Sequence, residues 1–129
     1  MSEASSAASR MASQASGNAL KTALSSLEDA KAEGTVTIDI KSKSALGDYM
    51  VVASGRSHRH VSAIADRLVR DLKQAGLGPV RVEGLPHCDW VLVDAGDLIV
   101  HIFRPEVREF YNIEKMWMAD TYSERRALA

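Results

Sequence analysis

Apolar side chains near the start of the chain recur first at helical and then at strand spacing. One helical face is marked at the positions i, i+3, i+4 and i+7 by Leu20, Ala23, Leu24 and Leu27. Asn18 is placed to cap this helix, and Gly34 is placed to close it. After it, Val36, Ile38 and Ile40 alternate with polar residues, which predicts a strand with one face in water.

A continuous apolar run and a long helical stripe follow. Residues 49–53 (YMVVA) are apolar without alternation, which fits a strand covered on both faces. Ser57 can cap a helix that Gly76 ends. The stripe of this helix is wide and consists of Val61, Ile64, Ala65, Leu68, Val69, Leu72 and Ala75. Pro79 then opens a short strand at 80–83, and the strand–helix–strand order implies parallel strands with a right-handed crossover.

Two further strands and a helix complete the pattern. The strands at 90–93 and 98–103 are joined by residues 94–97, where Asp and Gly supply the chemistry of a tight hairpin. Pro105 suits the first position of a last helix. That helix has acids in its first turn and one apolar flank: Glu106, Glu109, Val107, Phe110, Tyr111 and Trp117. The pattern predicts an α/β domain with a mixed five-stranded sheet flanked by helices.

Composition makes this a single domain. The chain has 129 residues, of which 46% are hydrophobic, enough for one compact core. Its 16 basic and 17 acidic side chains leave a net charge of -1, which disfavours non-specific binding to nucleic acid. The single cysteine suits a reducing compartment, and no apolar run approaches the roughly 20 residues needed to cross a bilayer. We therefore expect a soluble, cytoplasmic protein.

The two ends of the chain differ from its middle. Residues 1–17 are rich in Ser and Ala and contain no branched aliphatic or aromatic side chain, so we expect a disordered tail. An organelle transit peptide, and with it an organelle matrix location, stays open, although one Arg and one Glu give such a peptide little positive charge. Residues 120–129 form a second, polar tail, which leaves 18–119 for the domain.

Two groups of residues could carry phosphate or metal chemistry. The segment 55–57 (Gly-Arg-Ser) at a helix start could hold a phosphate, but a glycine turn and a serine cap are the commoner explanation. Asp48, Asp94 and Asp97 could be imagined as magnesium ligands for nucleotide transfer. However, Asp94 and Asp97 are separated by three and flank a turn, so their side chains need not converge, and we interpret both as turn acids.

The histidines and the cysteine do not form a recognisable site. His58 and His60 lie two apart on a predicted helix and point to different faces. Adjacent His87 and Cys88 diverge on an extended segment, so they make a poor nucleophile pair. His101 alternates with neighbouring apolar residues on its strand, which favours a hydrogen-bonded structural role. We expect no catalytic residue, no metal and no cofactor.

Trp90 begins a predicted strand and shares its face with Leu92 and Asp94. It is either a core residue or an anchor for a partner at the edge of the sheet, with the nearby carboxylates positioned to meet a basic protein surface. The residues alone leave both interpretations open.

Linked segments between residues 35 and 117 resemble the ribosomal silencing factor, or Iojap, family. The segments are Gly47-Asp48-Tyr49, Ser54-Gly55, Arg59-His60-Val61, Ala63-Ile64-Ala65-Asp66, Val82-Glu83-Gly84, Trp90-Val91-Leu92-Val93-Asp94, Gly96-Asp97, Val100-His101-Ile102-Phe103, and Glu106-Val107-Arg108-Glu109-Phe110-Tyr111 through Glu114 to Trp117. Their order and spacing carry the resemblance.

The resemblance implies a nucleotidyltransferase-like fold without that fold's catalysis, and a ribosomal partner. Members of this family bind the large ribosomal subunit through large-subunit ribosomal protein fourteen, block joining of the small subunit by steric exclusion, and so repress translation. By this resemblance, the expected docking residues are Trp90, Asp94, Ala95, Gly96 and Asp97. Many relatives have a large apolar residue where this chain has Ala95.

Two other functions stay open. A nucleotidyltransferase-like enzyme is suggested by the segment 55–57 with Asp48 nearby. A small homodimeric adaptor is suggested by the flank that contains Tyr111 and Trp117, and dimerisation is compatible with ribosome binding.

Overall fold

The computed structural model describes residues 17–41 and 47–112. Its helices and strands, in chain order, are α1 (17–29), β1 (Glu33–Asp39), β2 (Tyr49–Ser54), α2 (His58–Gln74), β3 (Arg81–Glu83), β4 (Trp90–Asp94), β5 (Leu98–Phe103) and α3 (Pro105–Tyr111). The strands form one five-stranded sheet in the order β1-β2-β5-β4-β3. Among the described residues, no helix is both long and apolar enough to span a membrane.

The sheet is mixed, as the pattern predicts. Strands β2 and β5 are parallel at its centre, whereas β1 pairs antiparallel with β2, and β4 pairs antiparallel with both β5 and β3. It follows that β3 runs in the same direction as β2, so the parallel strands predicted on either side of α2 are confirmed. The predicted α/β class and the β4–β5 hairpin are confirmed as well.

Helices α1 and α2 cover one face of the sheet and form the main core with it. Ser57 is the N-cap of α2, because its side chain accepts a hydrogen bond from the His60 amide at 3.1 Å. The largest buried side chains on this face include Leu27, Val61, Ile64, Leu68, Leu72, Val91 and Ile102. Of the predicted stripe, Val69 is half-buried, and Ala75 is exposed because it is the C-cap. This face, called the helix face below, holds the sheet to its helical layer.

The opposite face of the sheet, called the second face below, has its own apolar cluster. Its buried members are Ile38, Ile40, Met50, Val52 and Phe103, with Val36, Trp90 and Val107 packed against them. Val107 belongs to α3, so α3 contributes to this face. The side chain of Arg108, also on α3, donates from Nη1 to the buried Ser54 hydroxyl at 2.9 Å.

The ends of α1 differ from the sequence prediction. Asn18 lies inside the helix, which already includes residue 17, and is therefore not its N-cap. The helix stops well before Gly34: Lys31 adopts φ 61°, and its amide and the Ala32 amide bond the Glu28 and Leu27 carbonyls. This is the helix-ending pattern that glycine usually supplies. Gly34, with φ 57°, instead lies at an irregularity in the pairing of β1 with β2.

The last helix begins at Pro105 as predicted and ends at Tyr111, and its C-cap Asn112 has a φ of 54°. The predicted continuation to Trp117 lies outside the described residues, as do residues 1–16 of the expected first tail and the polar tail at 120–129. Residue 17, which the sequence assigned to the first tail, belongs to α1.

Candidate functional site

The outward side chains of β4 form a strip along the second face. Trp90, Leu92 and Asp94 are half-buried on this side, whereas Val91 and Val93 are fully buried on the helix face. The prediction that Trp90 shares a face with Leu92 and Asp94 is thus confirmed. Their partners on β5 are, in the same order, Phe103, His101 and Ile99.

Trp90 is held by two aromatic neighbours on β5. Its Nε1–H donates to Nδ1 of His101 at 3.0 Å, and its ring lies 4.9 Å from that of Phe103 at an angle of 50°. The His101 ring in turn stacks on Phe103, with centroids 5.8 Å apart and planes 6° apart. The indole is therefore held by its neighbours on β5 while part of it reaches the surface.

His101 is neutral in this arrangement. The residue is only 8% exposed, and burial lowers its pKa to about 4. Because Nδ1 accepts a hydrogen bond, the proton of the neutral imidazole lies on Nε2. The predicted role of His101 as a hydrogen-bonded structural residue is confirmed.

Asp89 fixes the start of β4 to two helices. Its Oδ1 accepts from His58 Nε2 at 2.7 Å and from Arg104 Nε at 2.9 Å, and Arg104 Nη2 forms an ion pair with the same oxygen at 2.8 Å. The hydrogen bond from His58, followed by that from Arg104, lowers the pKa of Asp89 below its ordinary value. Arg104 is the N-cap residue of α3 and also pairs with Glu106 at 2.6 Å. The backbone that carries Trp90 is thus tied to the first residues of α2 and α3.

The turn at the other end of β4 is compact and internally bonded. Asp94 Oδ1 accepts from the Gly96 amide at 2.9 Å, and the Ala95 amide donates to the Leu98 carbonyl at 2.9 Å. Gly96 has φ 85°, a conformation that hairpin turns require and that glycine adopts at little cost. The interpretation of Asp94 as a turn acid is confirmed. Ala95 packs against the core of the helix face, so it faces away from the strip, whereas Gly96 and Asp97 are exposed.

Asp97 joins this turn to the start of β2. Its carbonyl accepts from the amides of Asp48 and Tyr49 at 2.7 and 3.0 Å. Gly47 packs so closely that an added Cβ would lie 2.9 Å from the same carbonyl oxygen. Lys41 Nζ donates to the Tyr49 hydroxyl at 3.1 Å, and this bond raises the pKa of Lys41. Among the described residues, the turn thus contacts the start of β2, close to Asp48 and Tyr49.

The predicted docking residues occupy the two ends of one strip. Four of them, residues 94–97, are brought together in the turn. Trp90 lies at the opposite end of β4, about 13 Å away for a strand of this length. Leu92 joins the two ends on the second face, and the alternation of β4 was the signal for it. On the edge strand β3, Glu83 pairs with Leu92, and Arg81 pairs with Asp94.

Residues 55–57, at the start of α2, form hydrogen bonds and packing contacts within the domain. The Arg56 amide donates to His60 Nδ1 at 2.9 Å, and Ser57 bonds the His60 amide. An added Cβ on Gly55 would lie 2.8 Å from Val61 Cγ2, so the glycine permits close packing of α2. The structure thus confirms the turn-and-cap interpretation of this segment. Within 17–41 and 47–112, no group of three or more His, Cys, Asp or Glu side chains is placed to hold a metal ion.

Comparison with known proteins gives consistent results. A family model described as "Ribosomal silencing factor during starvation" matches residues 13–128. The chain is 53% identical to "Ribosomal silencing factor RsfS" of Zymomonas mobilis over 98 residues, which cover 76% of this chain and 74% of the relative.

Two further similarities extend this result. A mouse protein named "Mitochondrial assembly of ribosomal large subunit protein 1" is 33% identical over 107 residues, covering 81% of this chain and 47% of that protein. A crystal structure of a Chromobacterium violaceum protein superposes with a TM-score of 0.78 at 39% identity, covering 81% of this chain and 88% of that one.

Proposed function

The chain belongs to the ribosomal silencing factor family, and from that premise we propose that it binds the large ribosomal subunit and sterically blocks joining of the small subunit. Translation is thereby repressed without any chemical step. The name of the mouse relative refers to the ribosomal large subunit, which supports this choice of subunit. The proposal places the protein in the cytoplasm, associated with ribosomes.

The proposed docking site is the strip from Trp90 through Leu92 to Asp94, continued by the turn at Gly96 and Asp97. The observation that carries it is the fixed, half-buried indole of Trp90 on the same face as Leu92 and Asp94. Fixed aromatic side chains are frequent anchors in protein interfaces, because little side-chain entropy is lost when they dock. Ala95 contributes backbone and turn shape, since its side chain packs on the helix face.

The partner surface within the large subunit is large-subunit ribosomal protein fourteen in this proposal. Asp94 and Asp97 meet its basic side chains, and Trp90 and Leu92 supply the apolar part of the contact. With a net charge of -1, this chain has little long-range attraction to ribosomal RNA, which favours a protein surface as the partner.

Sedimentation tests the function directly. Purified protein is expected to co-sediment with large subunits and to reduce the fraction of joined ribosomes in a gradient when both subunits are mixed. Unchanged joining at saturating protein would contradict the proposal, even if some binding were detected.

Trp90→Ala tests the position of the site. We expect at least tenfold weaker binding to large subunits, as for other central aromatic anchors. Leu77→Ala is the matched control, because Leu77 is also a half-buried apolar residue but packs against the core of the helix face. Equal binding by both variants, with folding verified by circular dichroism, would place the site elsewhere.

A further inference from the structure

The indole of Trp90 has one N–H donor, and the acceptor that this donor binds determines which part of the ring a partner can contact. An indole ring presents apolar faces and a single N–H donor. In this fold the donor is directed at His101 Nδ1, 3.0 Å away, and the two residues are diagonal neighbours, since Trp90 pairs with Phe103 and His101 with Leu92. The hydrogen bond thus runs along the second face between two adjacent strands.

The acceptor is itself held in place from several sides. His101 lies on β5, which is paired on both edges, with β2 and with β4. Its ring stacks on Phe103, which is fully buried and also contacts the Trp90 ring. His101 therefore presents a lone pair at a fixed point, and burial keeps that lone pair free of a proton by lowering the pKa of the imidazole to about 4.

We propose that His101 is a positioning residue for docking: it holds the Trp90 indole by its N–H, so that the partner meets the apolar part of the ring. This inference rests on the proposed ribosome binding. A tryptophan fixed before binding loses less side-chain freedom on binding. Because its donor is already used, a hydrogen-bond acceptor on the partner would gain nothing at this point.

Two substitutions separate the hydrogen bond from the bulk of the ring. In His101→Asn, the side-chain oxygen is attached to Cγ as Nδ1 is in histidine, so it can still accept from Trp90. His101→Leu fills similar space and cannot accept. We expect the Asn variant to bind large subunits within about twofold of the parent and the Leu variant to bind about tenfold more weakly, because the released indole must then be ordered on binding.

NMR of the free protein detects the hydrogen bond from Trp90 to His101 directly. The chain has two tryptophans, and Trp90→Phe identifies which indole N–H resonance belongs to Trp90. That resonance is expected to exchange slowly with water in the parent and in His101→Asn, and rapidly in His101→Leu. Val100→Ala, which truncates a buried residue of the same strand on the helix face, serves as the control for general destabilisation and should keep both slow exchange and binding.

A double variant gives an independent check. In a Trp90→Phe background there is no N–H to hold, so adding His101→Leu should change binding far less than it does in the parent. Equal effects in the two backgrounds would show that His101 acts only through packing.

Several outcomes overturn the inference: rapid exchange of the Trp90 N–H in the parent, parent-like binding by His101→Leu, or equally weak binding by the folded Asn and Leu variants. Should His101→Leu fail to fold, His101→Phe and the exchange rate in the parent decide the question. If the parent itself does not bind large subunits, the proposed function fails, whereas the NMR result on His101 and Trp90 stands separately.

Discussion

At the scale of single residues, burial controls the charge of His101 and so links this histidine to stability. In the unfolded chain a histidine takes up a proton near its ordinary pKa of 6.5, whereas in the folded protein the pKa of His101 is about 4. Between these two pH values the unfolded state binds more protons than the native state. Stability is therefore lost as the pH falls through this window.

The predicted size of this loss is ~3 kcal/mol between pH 6.5 and pH 4, because each unit of pKa corresponds to about 1.4 kcal/mol. His101→Asn removes the titrating group, so its free energy of unfolding should depend less steeply on pH. Urea titrations of both proteins at several values from pH 7 to pH 4.5 measure the difference. His87→Asn, which removes an exposed histidine, is the matched control. Parallel curves for parent and His101→Asn would refute the assigned pKa.

Some features of His101 could be predicted from the sequence, and one could not. The alternation of β5 predicted which way His101 points and its structural, hydrogen-bonded role. Its bond to Trp90 depends on the register of β5 against β4, which the number of residues in the turn sets. Alternation gives the face of a side chain and not its neighbour on the next strand, so this contact needed the structure.

At the scale of elements, the start of α2 joins the centre of the sheet to the helix face. Gly55 lets the chain approach Val61 closely, Ser57 caps the first turn, and His60 bonds both the Arg56 amide and the Ala30 carbonyl at the end of α1. One short segment thus ends β2, begins α2 and contacts α1. The polar groups of this segment are thus bonded within the fold.

The cap predicts a measurable stability effect. Ser57→Ala removes the acceptor of the His60 amide and should lower the free energy of unfolding by about 1 kcal/mol. Ser62→Ala is the matched control, because Ser62 lies inside α2, where alanine has the higher helix propensity, and little or no loss is expected. Thermal unfolding of the two variants should therefore separate clearly, and equal melting temperatures would argue against a cap at Ser57.

The helix ends show where local pattern misleads. The end of α2 at Gly76 fits the sequence prediction, with φ 75° just after the cap residue Ala75. In α1 the same reasoning chose Gly34, yet Lys31 takes the left-handed conformation, and the glycine serves the irregular pairing of β1. Non-glycine residues adopt that conformation at modest cost when tertiary contacts favour it, so the nearest glycine is an incomplete guide.

At the scale of the whole molecule, the proposed docking strip lies on the side of the sheet opposite the main core. The helix face is closed by α1 and α2, and the strip from Trp90 to Asp94 lies on the other side. Hydrophobic periodicity predicted this two-sided sheet correctly, and the family resemblance supplied the expected docking residues. Neither could show that His101 and Phe103 hold the Trp90 ring, because those contacts depend on the register of the paired hairpin.

If the docking strip lies on the second face, the position of a charged residue should affect binding more than the net charge of the chain does. Asp97→Lys and Asp66→Lys change the net charge by the same amount, but Asp97 is exposed in the turn, whereas Asp66 is exposed on α2 over the helix face. If Asp97 meets basic side chains of the partner, only its variant should bind large subunits more weakly, by roughly tenfold or more, because a like-charge contact replaces an attractive one. Co-sedimentation across a series of salt concentrations measures this. A similar loss in both variants would mean that the overall charge, and not the turn, guides association.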